Sequence, residues 1–229
     1  MYFGDTTYFL LIPALILALY AQARVKSTYA RYSRVAASSR ISAAQAARSI
    51  LNAGGAGDVK VEKIEGELTD NYDPRKKVLR LSAGVHDSVS LAALGIAAHE
   101  AGHALQHHNR YAPLMFRNGF YPIANIGSTL AFPLFILGLL FSRSGPSILM
   151  DIGIFLFAGA VLFSVVTLPV EYNASRRAVA QLQMGSFLSP SELTGARAVL
   201  RAAALTYVAA TSMAILQLVR MLVLRSSRD

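Results

Sequence analysis

The chain contains no cysteine, which removes disulfides, cysteine-held zinc and thiol chemistry together. Any metal it binds must therefore be held by histidine and carboxylate. Charge is scarce as well: 15% of the 229 residues are charged, against roughly 25% in an ordinary soluble domain. The imbalance is basic, 22 Lys and Arg against 13 Asp and Glu, for a net charge of +9. No nucleic-acid motif accompanies that charge, so nucleic acid is not expected as a partner. The basic residues flank apolar blocks instead, as in the positive-inside pattern of membrane proteins. Internal repeats, low-complexity tracts and long flexible linkers are also missing. What is abundant is hydrophobic, 54% of the chain, and it is gathered in runs that point to a membrane-embedded protein.

The first run, Tyr8 to Ala23, extends towards Tyr2 and Phe3 and is about long enough to span a bilayer, which takes ~20 residues. Ala21-Gln22-Ala23 resembles a signal-peptide cleavage site. A signal peptide begins with positive charge, however, and here Asp5 is the only charged side chain before the run. Arg24, Lys26, Arg31, Arg34 and Arg40 all follow it. Residues 1–23 are therefore expected to be a retained transmembrane anchor with the N-terminus outside. Residues 24–118 form the one long polar segment, expected in the cytoplasm. Ser42 to Leu51 reads as an amphipathic helix capped by Ser42, with Gly54-Gly55 after it. Val59 to Ile64 and Lys77 to Leu81 read as strands, and Asp70 to Pro74 as turn chemistry. Residues 119–170 read as a transmembrane hairpin closed by a tight turn at Ser142 to Pro146, with Asp151 near the outer interface. Residues 171–201 return to polar helix, interrupted at Ser189-Pro190-Ser191-Glu192. Residues 202–224 are expected to cross the bilayer, with a helix packed in the interface as the alternative. Gln217 and Arg220 weaken the run, although an arginine near a helix end can snorkel to the interface. Residues 225–229 are expected to be a tail.

Within Leu91 to His108 lies His99-Glu100-Ala101-Gly102-His103, a complete H-E-x-x-H. Two histidines four apart share one face of a helix, so both imidazoles can reach one metal ion. The intervening glutamate falls beside that metal, where it can take a proton from water. This is the zincin arrangement. Ala97, Ala98, Ala101, Gly102 and Ala104 are small and let neighbouring elements approach closely. A catalytic zinc usually takes three protein ligands, and three candidates exist for the third. His107 shares the face but lies about 6 Å along the axis from His103 and about 12 Å from His99 at the helical rise. His86 sits in a turn-like VHDS. Glu171 stands where the third apolar block ends, in VEYNASRRA, and a helix there puts Glu171 and Ser175 on one face. Without the H-E-x-x-H, Glu171 would read as a helix-terminal carboxylate or a partner of Arg176 or Arg177.

The stretches HEAGHALQHH, DNYDPRKKVLRLS and VEYNASRRA resemble bacterial membrane zinc metallopeptidases of the YugP type, and the likeness runs over nearly the whole chain. A more distant likeness is to the HtpX-type membrane proteases, whose ligand glutamate follows a transmembrane hairpin in an E-x-x-A-D motif. That likeness implies Glu171 as the third metal ligand and matches Ala174 to the alanine. Ser175 stands in place of the acidic residue; it can still hydrogen-bond a ligand histidine but supplies no charge.

The expected protein is a mainly α integral membrane protein, a zincin-like unit with a small β-sheet packed on about four transmembrane helices. It binds one Zn²⁺ per chain through His99, His103 and Glu171. Glu100 is the catalytic base, and Ser175, Arg176, Arg177 and Tyr172 are candidates for supporting a ligand or the oxyanion. The expected activity is zinc-dependent hydrolysis of protein or peptide substrates in or beside the bilayer, with the active site on the cytoplasmic side. An edge of the small sheet could hold an extended peptide by main-chain hydrogen bonds. Two other classes fit the motif less well: a non-catalytic scaffold that keeps a zinc, and a zinc hydrolase of a non-peptide substrate. Oligomerisation and partner proteins are left open.

Overall fold

The computed structural model describes residues 6–141 and 147–227. The expected turn at Ser142 to Pro146, and Tyr2, Phe3 and Asp5, lie outside the described residues. Four helices among those described are long and apolar enough to cross a membrane, spanning Thr6–Tyr32, Ala112–Phe141, Ile148–Met184 and Leu193–Ser226. The first combines a 3-10 turn, Thr6–Leu11, with α1, Ile12–Tyr32. Between it and the second lie α2 (Ala43–Ala53), β1 (Lys60–Ile64), β2 (Asn71–Asp73), β3 (Val78–Ser82), the one-turn α3 (Ala83–His86) and α4 (Leu91–His108). The three long helices that follow are α5 (Ala112–Phe141), α6 (Ile148–Met184) and α7 (Leu193–Ser226). The protein is thus a mainly α membrane protein with one small sheet.

Two compact units divide the chain, the first made of residues 1–21, 116–168 and 206–229, the second of 22–115 and 169–205. In the first, large apolar side chains face outward, among them Ile16, Ile123 and Phe155, the last 78% exposed. Outward apolar faces of this kind suit lipid as the surrounding medium. Its helices pack through small residues: a Cβ on Gly153 would lie 2.7 Å from the Ala131 carbonyl oxygen, so α5 and α6 touch backbone to backbone there. Arg220 does not snorkel. It is buried, its Nε donates to Thr7 Oγ1 at 3.0 Å, and its guanidinium sits 3.7 Å from the Tyr8 ring centroid. A cation with a hydroxyl and an aromatic face at hand is held by the protein and has no need to reach for water. Asp151 pairs with Arg225 at 2.6 Å.

The second unit owes its local structure to side-chain caps. Ser42 and Gln45 form a reciprocal capping box at the start of α2, satisfying two backbone donors. Ser90 caps α4 by accepting from Ala93 N–H at 3.2 Å. The sheet has the order β1-β3-β2, with β1 parallel and β2 antiparallel to β3. Residues 71–73, expected as part of a turn, are strand instead. Asp73 accepts from the backbone of Arg75 and Lys76, and Lys77 takes a positive φ of 52°, so the turn lies one step later. Asp70 accepts from Ser82 N–H at 2.8 Å, holding β2 in register with the end of β3. One core joins α2, β3 and α4 to the ends of α6 and α7, with Leu51, Leu79, Leu94, Ala101, Ala178 and Leu182 fully buried.

Two helix boundaries differ from the polarity boundaries. Helix α6 runs without interruption through Glu171, and α7 is continuous across residue 202 to Ser226. No glycine or proline falls between Ala196 and Ser226 to break α7, and a change from polar to apolar composition does not end a helix. Residues 225 and 226 accordingly belong to α7.

Candidate metal centre

Helix α4 runs through the second unit with little but alanine, glycine and leucine on its buried faces. Gly102, inside the H-E-x-x-H, has no room for a side chain: a Cβ there would meet the Ala174 carbonyl oxygen at 2.7 Å. The backbone of α6 therefore lies directly against α4 at that turn. The contact puts Glu171, one turn before Ala174 on α6, opposite the two histidines.

Three donor atoms converge. His99 Nε2 and His103 Nε2 are 3.2 Å apart, and Glu171 Oε2 lies 3.3 Å from the first and 3.5 Å from the second. The group is almost closed to solvent, with Glu171 3% exposed. A tetrahedral centre with bonds of about 2.0–2.1 Å has edges of about 3.3 Å between donors, so this triangle matches one face of a zinc site. His99, His103 and Glu171 form a group able to hold a metal ion, and the nitrogen and oxygen donor set is the one left to a chain without cysteine.

Hydrogen bonds behind the triangle decide which ring nitrogens face it. Gln106, fully buried, donates through Nε2 to the Val170 carbonyl at 2.8 Å and to Asn173 Oδ1 at 3.0 Å. A carbonyl can only accept, so the amide has one orientation and Gln106 Oε1 must face His103 Nδ1, 3.0 Å away. His103 then carries its proton on Nδ1 and offers a bare lone pair at Nε2. Arg177 Nε donates to Asn173 Oδ1 at 2.8 Å and fixes the outer end of the chain. His99 has a counterpart in Ser175, whose Oγ lies 3.2 Å from His99 Nδ1.

Glu100 is partly buried beside His99. Burial pushes its carboxyl up to about 7, helped by the charges of Glu171 and Asp70, while His99 and a hydrogen bond from the Tyr72 backbone pull it down. Tyr72 belongs to β2, one of the two edge strands, and β2 packs against α4, so a sheet edge borders the glutamate.

The structure brings together His99, His103 and Glu171 and places Ser175 against His99. His86 instead bonds Asp87 at 2.6 Å, and His107 bonds Tyr72 Oη at 2.9 Å. Neither joins the triangle. Tyr172 and Arg176 make no hydrogen bond or ion pair among the described residues; both line a cavity shared with Ser175. Gln106 and Asn173 were not singled out from the sequence. The available signal was spacing, since Gln106 lies three residues after His103 on the same helical face, a polar side chain in an apolar helix.

Over residues 7–226 the chain matches the sequence family described as "Putative neutral zinc metallopeptidase". It is also similar to the "Putative membrane protease YugP" of Bacillus subtilis (strain 168), at 44% identity over 222 residues, covering 96% of this chain and 97% of that protein. No solved structure matches it.

Proposed function

From the premise that this chain belongs to the "Putative neutral zinc metallopeptidase" family, we propose that it is a multi-pass membrane endopeptidase whose zinc is held by His99, His103 and Glu171. The observation that carries the reading is the 3.2–3.5 Å triangle of Nε2, Nε2 and Oε2 atoms. When bound there, zinc supplies Lewis-acid activation of a water and of the scissile carbonyl. Gln106 and Ser175 orient the two imidazoles, and the close approach permitted by Gly102 presents the Glu171 carboxylate. Glu100 takes the proton of the attacking water and delivers it to the leaving amine. Burial raises this carboxyl above its ordinary range, which makes it a stronger base for the first transfer.

The substrate is an extended segment of a membrane or membrane-proximal protein. The border between β2 and Glu100 supports this: a peptide adding to the open side of that edge would pass its backbone in front of the glutamate. Strong cationic bias after the first apolar run supports an N-terminus outside and a metal centre on the cytoplasmic side.

The deciding experiment is Glu100→Gln in the purified protein. Zinc content and thermal stability stay at the wild-type level, while cleavage of an unfolded membrane-protein substrate falls at least ~10²-fold. Unchanged cleavage would remove Glu100 from the chemistry. Wild-type protein that is fully loaded with zinc and cleaves no peptide bond would favour a scaffold role.

A further inference from the structure

Between α6 and α7 in the second unit lies a cavity of about 350 Å³ that the peptidase reading does not use. Three arginines line it, Arg176, Arg197 and Arg201, together with Ser175 and the aliphatic Val179 and Leu200. The arginines are exposed, and among the described residues none of them has an ion-pair or hydrogen-bond partner. Three like charges gathered around one mostly apolar cavity repel one another unless an anion joins them. Guanidinium forks suit phosphate oxygens in geometry as well as charge.

We propose that this cavity binds the phosphate group of an anionic membrane lipid. Three features favour a lipid over a substrate's acidic side chain. Arg176 follows the α6 apolar run, which ends at Val170, by under two turns, and Arg201 immediately precedes the α7 apolar run. On the reading that both helices cross the bilayer, on which this proposal rests, those positions lie at headgroup depth. Val179, half-buried, offers aliphatic surface beside the arginines to the glycerol and upper acyl carbons. Finally, Ser175 opens the cavity on the Nδ1 side of His99, away from the Nε2 atoms that face the metal, where substrate must come.

The site also has a link to the metal centre. With Nε2 of His99 turned to the metal, its Nδ1–H donates to Ser175 Oγ, which leaves the Ser175 hydroxyl proton free to point at an anion. A ligand histidine commonly donates to a carboxylate, which raises its basicity. Here a bound phosphate supplies that negative partner through Ser175.

The test uses full-length protein in detergent, probed by native mass spectrometry with phosphatidylglycerol, phosphatidylcholine, inorganic phosphate or an acidic heptapeptide. The wild type retains one phosphatidylglycerol under activation that strips phosphatidylcholine, and Arg197→Gln/Arg201→Gln retains about tenfold less. If that double variant does not fold, Arg176→Gln, whose side chain is exposed, gives the same comparison. Zinc affinity, measured by chelator competition in nanodiscs, is several-fold tighter with phosphatidylglycerol than with phosphatidylcholine, and Ser175→Ala abolishes the difference. Equal retention of the two lipids overturns the proposal, as does phosphatidylglycerol binding unchanged in the arginine variants. Displacement of the lipid by equimolar phosphate or heptapeptide also overturns it, reassigning the cavity to a free anion or to substrate. These readouts need no peptidase activity, and labelling of introduced cysteines tests the membrane crossing separately, so each failure can be told from the others.

Discussion

Gln106 Oε1 stands 3.0 Å from His103 Nδ1, and the amide cannot turn over because its other end donates to the Val170 carbonyl. A residue on α4 thus reads the backbone of α6 one position before Glu171 and sets the tautomer of His103 accordingly. The bond between the helices and the readiness of the imidazole for a metal are one arrangement.

It follows that Gln106→Leu, similar in volume, leaves His103 free to take either tautomer and removes the side-chain bond that ties α4 to the Val170 carbonyl of α6. Zinc affinity should fall by about 10–100-fold, with the helix content unchanged. Competition with a calibrated chelator measures it. Affinity equal to wild type would mean that Gln106 only fills space.

Gly102→Ala places a methyl 2.7 Å from the Ala174 carbonyl oxygen. Backbone cannot yield as a flexible side chain does, so α6 must move away, at a cost of about 1–3 kcal/mol. The displacement carries Glu171 with it. Both the melting temperature and zinc occupancy should drop, whereas Ala97→Gly, elsewhere on the same helix, should lower stability without a comparable loss of zinc.

Those two residues show how far the sequence could be read. The limits of α4, its cap-and-alanine character and the face shared by His99 and His103 follow from local spacing and are legible in the chain itself. Glu171 was legible through a resemblance and through its place after an apolar run. Gln106 was not, because its partners at Val170 and Asn173 are more than 60 residues away. The same holds for β2: Asn71, Tyr72 and Asp73 carry turn chemistry, and only pairing with β3 makes them strand. Arg220 looked like an interfacial cation because Thr7 and Tyr8 lie at the other end of the chain. Periodicity finds faces; it does not find what those faces meet.

Acid should loosen the start of α7. Glu192 accepts from the Ser189 and Ser38 N–H groups at 2.8 and 2.7 Å and from the Ser38 hydroxyl at 3.0 Å. The Ser189 backbone bond is the largest cause holding its carboxyl down, at about 2. A depressed carboxylate stabilises the fold fully above its unfolded value near pH 4.5, and this contribution is lost as pH falls towards 2. The site is largely open to solvent, so screening limits the effect to about 1 kcal/mol. Glu192→Gln should lower the melting temperature by a few degrees at pH 7 and flatten its decline between pH 5 and pH 2. An identical decline in the variant would assign the acid sensitivity to other groups.

The last prediction concerns the coordination shell itself. If His99, His103 and Glu171 hold the zinc, purified protein carries one zinc per chain, and His99→Ala and His103→Ala each lose it, since two remaining donors rarely bind tightly. Glu171→Gln keeps the shape but replaces an anionic oxygen with an amide, so its zinc should be weakly held and removable by brief dialysis. X-ray absorption at the zinc edge should show only nitrogen and oxygen neighbours, at about 2.0–2.2 Å. A sulfur shell cannot come from cysteine, because the chain has none. Unchanged zinc content in Glu171→Ala would put the third donor elsewhere. His86 and His107 would then be the residues to examine, although their bonds to Asp87 and Tyr72 would first have to break.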